Sequence, residues 1–312
     1  ITFVLNTTLK IVTMVKIKNT CCKWGGSWTE EKLDAFIKYV QAYLSIMNAH
    51  KKKYGWKIIY FDGFAGSGEG SQCTTDDKEA NSIFQLPIDS CCEEHRVYQG
   101  AAERVLALGK EGFDYIYFIE KDDESIQKLK SKLEHYNTDN VLFRQGDANE
   151  QLKMLAQAHI NNRSKYASLV FLDPFGMEIE WESIKALKGA RTDIWILVPT
   201  GVIINRLLDR QGQLKSIRKL EAFFGLSGQE IEDYFYRTRQ MVSLFGELTV
   251  REKIPNAIPK IAELYIERLK TIWKYVTEEP LVLYNSNNVP IFHLVFASNN
   301  STAKRIASQI IK

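Results

Sequence analysis

The segment that most constrains the fold is residues 57–70, where an apolar run ends in an acid and leads into four glycines within eight residues. An apolar run of this length is typical of a buried parallel strand. Glycines directly after a strand let the backbone turn sharply and approach a ligand closely. The glycine spacing differs from the strict dinucleotide-binding motif, so the loop predicts a nucleotide-type cofactor site only together with the strands that follow it.

Three further apolar runs also end in polar groups. The runs cover residues 115–119, 141–145 and 168–172, and they lead into Glu120, Asp147 and Asp173. A fifth apolar run covers residues 192–199. In an open parallel sheet, ligands bind beyond the carboxyl ends of the strands, so we expect these acids to face one crevice. Five strands separated by helical segments predict a doubly wound α/β domain.

After the fifth run the chain departs from simple strand and helix alternation. Residues 203–275 carry apolar side chains at helical spacing and are predicted to be mostly helical. Residues 281–284 and 290–296 are apolar runs around an Asn-rich turn, which predicts a closing hairpin. The expected fold is therefore α/β and Rossmann-like, of the class I methyltransferase type, with a mostly parallel sheet, a C-terminal antiparallel hairpin and a helical insertion.

The length of 312 residues allows one large domain with an insertion, or two domains. The expected division is a cofactor-binding core at residues 24–202, an insertion at residues 203–275, and a closing hairpin and C-terminal helix of the core at residues 276–312. Residues 1–23 are expected to be an N-terminal extension of uncertain order. Because the chain begins with Ile1 rather than Met, Met14 is a candidate for the natural start.

Composition excludes several classes of protein. No stretch approaches the roughly 18 consecutive apolar residues of a membrane span, so we expect a soluble, cytoplasmic protein without membrane association. The five cysteines are odd in number and lack the spacing of a zinc site or a secreted disulfide framework, so reduced thiols and no bound metal are expected. They are Cys21, Cys22, Cys73, Cys91 and Cys92.

A helix is predicted to begin at Ser27-Trp-Thr-Glu30, which has the form of a capping box. Its apolar residues lie at helical spacing and are expected to face the core. They are Leu33, Phe36, Ile37, Val40, Leu44 and Met47. The gap of about fifty residues between the first two strands exceeds an ordinary crossover, and helical patterns within it cover residues 79–85 and 95–108.

Four motifs resemble the three-Cys-motif partner family. They are Trp28-Thr-Glu-Glu-Lys-Leu33, Asp62-Gly-Phe-Ala-Gly-Ser-Gly68, Leu172-Asp-Pro-Phe-Gly176 and the ending Tyr284-Asn-Ser with Phe292-His-Leu-Val-Phe-Ala-Ser298. The resemblance covers most of residues 24–312. It implies the fold of an S-adenosylmethionine-dependent methyltransferase and S-adenosyl-L-methionine as the cofactor, more than it implies a particular reaction.

Such a cofactor needs close backbone approach and an acid for the ribose diol. The glycine loop and the strand-end acids supply both. We expect Asp62, Gly63, Phe64, Gly66 and Gly68 around the methionine end, Glu120 on the ribose hydroxyls, and Asp147 with Ala148 near the adenine. The alternative for Glu120 is a solvated acid at the start of the following helix, where a negative charge is favourable.

The motif Asp173-Pro-Phe-Gly176 resembles the Asp-Pro-Pro-Tyr motif of enzymes that methylate amino groups of nucleic acids. The Asp-Pro-Phe-Gly form itself occurs in a guanine-amino methyltransferase of transfer RNA. The lone pair of an exocyclic amine is delocalised into the ring, and acceptors on both N–H groups, here the Asp173 carboxylate and the Pro174 carbonyl, favour a pyramidal nitrogen. Phe175 is expected to stack on an extruded base. The alternative is a simple proline and glycine turn with Phe175 packed inward.

The net charge of +3 is too small to demand a polyanionic partner, but residues 203–275 carry 13 Lys and Arg against 9 Asp and Glu. Arg237 and Arg239 are expected to contact substrate. With nearby Arg251 and Lys253 and the aromatic residues 234–236 they form a mixture suitable for backbone contacts and base stacking. Amphipathic helices with solvated lysines and core aromatics would give the same composition.

The leading hypothesis is methylation of an amino group of a nucleobase in RNA or DNA. A methyltransferase for a small molecule or a protein side chain, and a non-catalytic binding or regulatory module that retains the cofactor cleft, are the alternatives. No histidine falls beside the strand-end motifs, so no catalytic base is predicted. The sequence does not specify an oligomeric state or a protein partner.

Overall fold

The computed structural model of the chain describes residues 27–68, 101–108, 112–136, 139–162, 165–209, 214–243 and 246–312. The five cysteines and the predicted helix at residues 79–85 lie outside the described residues. Of the predicted helix at residues 95–108, residues 101–108 are described and are helical.

In this part of the chain the strands form a central mixed sheet and a separate hairpin. They are β1 (Lys57–Asp62), β2 (Tyr115–Glu120), β3 (Val141–Gln145), β4 (Tyr166–Leu172), β5 (Thr192–Val198), β6 (Tyr236–Ser243), β7 (Gly246–Lys253), β8 (Tyr275–Val276), β9 (Leu281–Tyr284) and β10 (Pro290–Ser298). The spatial order of the central sheet is β3-β2-β1-β4-β5-β10-β8, and β9 also pairs with β10. The first five are parallel, and β10 runs antiparallel to β5, β8 and β9. The predicted α/β fold with a closing antiparallel hairpin is confirmed.

Helices cover both faces of the sheet. Besides the helical residues 101–108, they are α1 (Ser27–Tyr54), α2 (Asp123–Lys132), α3 (Ala148–Asn161), α4 (Trp181–Ala186), α5 (Asn205–Leu207), α6 (Ile217–Phe224), α7 (Gly228–Phe235), α8 (Ala257–Lys270) and α9 (Ser301–Ile311), with a 3₁₀ turn at Glu134–Tyr136 and a π-helix at Thr200–Ile204. Side chains alternate along β1: Ile58 and Tyr60 join the core under α1, α2 and α9, while Ile59 and Phe61 join the core under α3, α4, α6 and α8. Burial on both faces explains why the strands are almost continuously apolar.

Helix α1 lies across one face of the sheet with the predicted apolar stripe inward. Leu33, Phe36, Val40 and Leu44 are buried, while Ile37 and Met47 are partly buried and pack against the same core. The ring of Phe36 stacks on Phe171 of β4 at a centroid distance of 4.1 Å. This packing fixes the third turn of α1 relative to the end of β4.

The prediction that residues 203–275 are mostly helical is wrong for residues 236–253, which form the antiparallel hairpin β6–β7. Aromatic and β-branched residues such as Tyr236, Thr238 and Val250 favour extended backbone, and this preference prevails over the helical spacing. The helices on either side of the hairpin are present as α6, α7 and α8. Their buried side chains belong to the same hydrophobic core as the sheet residues of that face.

No helix in the described ranges is both long enough and apolar enough to cross a lipid bilayer.

Candidate functional site

The carboxyl ends of β1 to β4 place the predicted acids along one edge of the sheet. Asp62 and Glu120 are the last residues of β1 and β2, Asp147 directly precedes α3 after β3, and Asp173 directly follows β4. These strands are neighbours in the order β3-β2-β1-β4 and are parallel, so their ends meet at one edge. The charges of Asp173 and Glu120 both raise the pKa of Asp62, which shows that the three carboxylates share one electrostatic environment.

Asp62 is a buried acid that titrates near neutral pH. Asp62 is 1% exposed. Burial raises the pKa of Asp62, the backbone N–H of Phe64 lowers it and the negative charge of Asp173 raises it, so that the resulting pKa is about 7. The Phe64 N–H donates to Oδ1 at 3.2 Å, and the Tyr60 hydroxyl lies 3.4 Å from Oδ2. A cation bound beside this carboxylate would favour its ionised form.

The glycine loop at residues 63–68 is held between neighbouring strands. The Gly63 N–H donates to the carbonyl of Phe171 on β4 at 3.0 Å, and the Ala65 N–H donates to Ile119 on β2 at 2.8 Å. A Cβ on Gly63 would lie 2.6 Å from Leu172 Cδ2, so only glycine fits there without a shift. Gly66 has a φ of +63°, which favours glycine over other residues. The loop therefore runs close over the ends of β1 and β4.

At the end of the glycine loop, Gly68 also has a positive φ of +66°, and Lys132 Nζ donates to the Gly68 carbonyl oxygen at 2.6 Å. The loop is thus fixed to α2 as well as to the sheet.

Glu120 connects the glycine loop to the end of β2. Its Oε2 accepts the Gly66 N–H at 2.9 Å, and its Oε1 accepts the N–H groups of Lys121 and Asp122 at 2.8 and 3.0 Å. The residue that caps α2 is Asp122, whose carboxylate accepts the Ser125 N–H at 2.8 Å. The structure therefore places Glu120 against the loop, and the helix-starting role belongs to Asp122.

Asp147 and Ala148 lie at the start of α3. The Asp147 carboxylate caps the helix by accepting the Asn149 N–H at 2.9 Å, and Lys121 Nζ lies 3.6 Å from its other oxygen. Ala148 is buried, and its Cβ would lie 3.7 Å from a Cβ built on Gly63. Ala148 therefore lies next to Gly63 of the glycine loop, while Asp147 is half-buried.

Asp173 forms a buried ion pair with Lys32 of α1. Lys32 Nζ lies 2.9 Å from Oδ1 and 2.7 Å from Oδ2, and the two side chains are only 2% and 4% exposed. Lys32 Nζ also lies 5.3 Å from the ring centroid of Trp28, which stacks on Phe292 of β10 at 5.3 Å. Pro174 is buried and Phe175 half-buried.

Sequence reasoning missed Lys32 as a site residue. The two partners are 141 residues apart, and a lysine on an amphipathic helix is ordinarily solvated. The available signal was the position of Lys32 beside Leu33 and one turn before Phe36, which places it next to the core-facing stripe of the helix.

A histidine also lies at this edge of the sheet, contrary to the expectation from sequence spacing. His293 of β10 pairs with Val198, the last residue of β5, and its Nδ1 shares a 2.7 Å hydrogen bond with the Thr200 hydroxyl. Both residues are buried, and burial lowers the pKa of His293 to about 4. His293 is therefore neutral at physiological pH, and antiparallel pairing alone brings it to the strand ends.

The hairpin β6–β7 carries the predicted substrate arginines. Arg237 and Arg239 occupy alternate positions of β6, so they share one face of the hairpin, and both are exposed.

Other members of the predicted basic and aromatic cluster have internal partners instead. Arg251 pairs with Glu232 at 2.8 Å and lies 5.5 Å from the ring of Tyr236, which is buried like Phe235. The expectation that these two aromatics stack on bases is wrong, because both are part of the core.

Lys253 attaches the base of the hairpin to the segment after β5. Its Nζ donates to the Asn205 carbonyl at 2.7 Å, to Asn205 Oδ1 at 2.6 Å and to the Leu208 carbonyl at 2.9 Å. Lys253 is therefore a structural anchor rather than a free cation. Since β5 ends at the same sheet edge as β4, the hairpin base is attached to the segment that leaves that edge.

Within the described ranges, no group of three or more His, Cys, Asp or Glu side chains is arranged to hold a metal ion.

Comparison with known proteins gives structural matches without sequence matches. No protein-family model and no curated protein matches the sequence. A Legionella pneumophila protein assigned to the DUF519 family model is 16% identical over 86% of this chain and 98% of its own, with a TM-score of 0.35. Spermidine synthase from Thermotoga maritima is 10% identical over 90% of this chain, with a TM-score of 0.40, and the match spans 62% of that enzyme.

The N-terminal domain of EvdMO1 with SAH bound is 12% identical over 82% of this chain and 79% of its own, with a TM-score of 0.33. Because the sequence identities and TM-scores are all low, the class I methyltransferase fold of this chain is assigned from its own strand order and closing hairpin.

Proposed function

We propose that this protein is an S-adenosylmethionine-dependent methyltransferase that methylates an exocyclic amino group of a nucleobase in RNA or DNA. The observation that carries the proposal is the meeting, at one sheet edge, of the glycine loop, Glu120 and the buried Asp173 of the Asp-Pro-Phe-Gly motif. The same motifs support membership of the three-Cys-motif partner family.

The residues at this edge fit the proposed cofactor. The glycine loop has the positive φ angles and the absent Cβ atoms that allow close backbone approach. Asp62 offers a buried carboxylate to the ammonium group of the methionine end, and a cation there would favour the ionised form of an acid whose pKa is about 7. When bound, S-adenosylmethionine supplies an electrophilic methyl group on a sulfonium.

Glu120 would accept the ribose hydroxyls. A carboxylate offers about four acceptor positions, and the N–H groups of Gly66, Lys121 and Asp122 occupy three of those of Glu120. A hydroxyl bound there takes the remaining position or replaces Gly66. Asp147 and Ala148, at the end of the neighbouring strand, would lie beside the adenine.

Asp173 and the Pro174 carbonyl would hold the two N–H groups of the acceptor amine. Acceptors on both groups oppose delocalisation of the nitrogen lone pair and direct it toward the methyl group, so the contribution of the protein is positioning and charge placement. Phe175, which is half-buried, would stack on the base. The positive excess of residues 203–275 and the exposed Arg237 and Arg239 favour a nucleic acid as the partner.

The test is methyl transfer from labelled S-adenosylmethionine to total RNA, to DNA, and to protein and small-molecule fractions. We expect label in the nucleic acid, on an amino group, and a loss of about 100-fold or more in Asp173→Asn with cofactor affinity retained. Asp193→Asn is the matched control, because Asp193 is a half-buried acid held by hydrogen bonds from Tyr39 and Ser298, and it lies at the start of β5, at the opposite end of the strands. We expect it to retain transfer.

Unchanged turnover in Asp173→Asn would refute the amino-methylation chemistry. Transfer only to protein or small molecules would favour the second acceptor class. Calorimetric binding of the cofactor without any transfer would favour a non-catalytic module.

A further inference from the structure

We propose that Lys32 is a positioning residue for Asp173, holding its carboxylate ionised and fixed as a hydrogen-bond acceptor for a neutral amino group. This inference rests on the proposed function and deepens it, because it restricts the methyl acceptor to a nitrogen that carries no charge when it binds.

The first support is the geometry of the pair. Lys32 Nζ contacts both oxygens of Asp173, at 2.9 and 2.7 Å, and both side chains are almost fully buried. An ammonium has three N–H donors, and two of them are used on this carboxylate. Contact with both oxygens fixes the orientation of the carboxylate plane as well as its charge.

The second support is the surface that holds Lys32. Its Nζ lies 5.3 Å from the ring centroid of Trp28, and Trp28 in turn stacks on Phe292 of β10. The face of an aromatic ring attracts a cation, most strongly where water is excluded. The ammonium thus contacts both the ring of Trp28 and the carboxylate of Asp173, and these two contacts define its position.

The third support is the contrast with Asp62 at the end of the neighbouring strand. The side-chain groups that act most strongly on Asp62 are Asp173, Tyr60 and Glu120, which are two acids and a hydroxyl. Burial without a compensating cation lets Asp62 hold its proton up to near-neutral pH. A protonated carboxyl donates one hydrogen bond and loses acceptor capacity. Asp173 is as buried as Asp62, but the ammonium of Lys32 lies within hydrogen-bond distance of both of its carboxylate oxygens.

The fourth step concerns the acceptor. An uncompensated buried carboxylate would attract an alkylammonium, such as a lysine side chain or a polyamine. Because Lys32 already neutralises Asp173, a second ammonium there would lie next to a like charge in a buried site. The aromatic amino group of a nucleobase is neutral and avoids this repulsion. The pair therefore favours a heteroaromatic amine over the alkylamine alternatives.

The test compares Lys32→Met and Lys32→Arg with Lys38→Met, an exposed lysine on the same helix. Methyl transfer is measured at saturating cofactor over pH 6 to 9, with the cofactor affinity of each variant. In the described part of the chain, the charged and titratable groups around Asp173 include Lys32 from α1 and Asp62 and Tyr60 from β1. A pH dependence from Asp62 is common to all the proteins compared, so a pH dependence seen only in Lys32→Met would report the loss of the ammonium beside Asp173.

We expect Lys32→Met to lower kcat about 100-fold at pH 7, to recover activity as pH rises through neutrality, and to keep its cofactor affinity. Lys32→Arg should restore most of the activity and the pH profile of the unmodified protein, since it keeps the charge. Lys38→Met should match the unmodified protein.

An unmodified rate and pH profile in Lys32→Met would overturn the inference. So would a preference of the unmodified protein for alkylamine acceptors over nucleobases. If Lys32→Met does not fold, Lys32→Arg decides: a folded variant that binds cofactor but loses about 100-fold in kcat, although it keeps the charge, overturns the inference. Absence of any transfer by the unmodified protein is a different result, since it refutes the proposed function itself.

Discussion

Replacing Asp62 with asparagine should make the protein more stable at alkaline pH while weakening cofactor binding. Asp62 is buried, and its pKa in the folded protein is about 7, against an ordinary value of 3.8. Between pH 3.8 and about pH 7, Asp62 of the folded protein holds a proton that the same residue has released in the unfolded chain. Stability therefore falls as pH rises through this interval, and above pH 7 the folded state carries the full cost of a buried charge.

The size of this change in the free energy of unfolding follows from the interval between the two pKa values of Asp62. Each pH unit across it lowers the free energy of unfolding by about 1.4 kcal/mol, so the loss between pH 5 and pH 7 is about 3 kcal/mol. Asparagine does not titrate and lacks this slope. The difference in stability between Asp62→Asn and the unmodified protein should therefore shift by about 3 kcal/mol in favour of the variant between pH 5 and pH 8. The comparison of two pH values cancels any constant change in hydrogen bonding.

The assay is urea unfolding of both proteins at pH 5 and pH 8 without cofactor, followed by calorimetry with S-adenosylmethionine. Parallel pH dependences in the two proteins would show that Asp62 does not retain its proton in the folded state. Unchanged cofactor affinity in the variant would show that its carboxylate does not contact the ligand.

Three further predictions concern other parts of the structure. Gly201→Ala should destabilise the fold by about 3 kcal/mol in thermal unfolding, because a Cβ there would lie 2.0 Å from the Pro290 carbonyl oxygen on β10; an unchanged Tm would contradict this close contact. Lys253→Met should cost about 2 kcal/mol and speed amide exchange in β7 by removing three hydrogen bonds, whereas Lys260→Met, which removes an exposed pair, should not. The double substitution Arg237→Ala with Arg239→Ala should reduce the salt dependence of nucleic-acid binding, lowering the log–log slope by about 1.5; an unchanged slope would place the nucleic acid elsewhere.

The central sheet could be predicted because its determinants are local in the sequence. Each strand from β1 to β5 is a short, nearly continuous apolar run, and burial on both faces of a parallel sheet produces that pattern directly. The strand-end positions of Asp62, Glu120 and Asp173 then followed from the direction of the parallel strands. The Asn-rich turn between β9 and β10 gave the closing hairpin by the same kind of local pattern.

Contacts that depend on distant parts of the chain could not be predicted. Lys32 lies 141 residues from Asp173, and nothing near either residue indicates the pairing. His293 reaches the strand ends only because β10 runs antiparallel to β5. The hairpin β6–β7 was missed because helical and extended preferences compete along residues 236–253, and tertiary context decides such cases.

The stack of Trp28 on Phe292 has a consequence for biosynthesis. Trp28, beside Lys32, lies in the first turn of α1 and its stacking partner Phe292 lies in β10, so the stack joins residues 264 positions apart in the sequence. A nascent polypeptide has all of β1 to β5 available before Phe292 is translated, yet the indole of Trp28 lacks its stacking partner until then. Contacts of such long sequence separation form late. The glycine loop can therefore form during translation, whereas the stack of Trp28 on Phe292 beside Lys32 forms only after the ribosome has released β10.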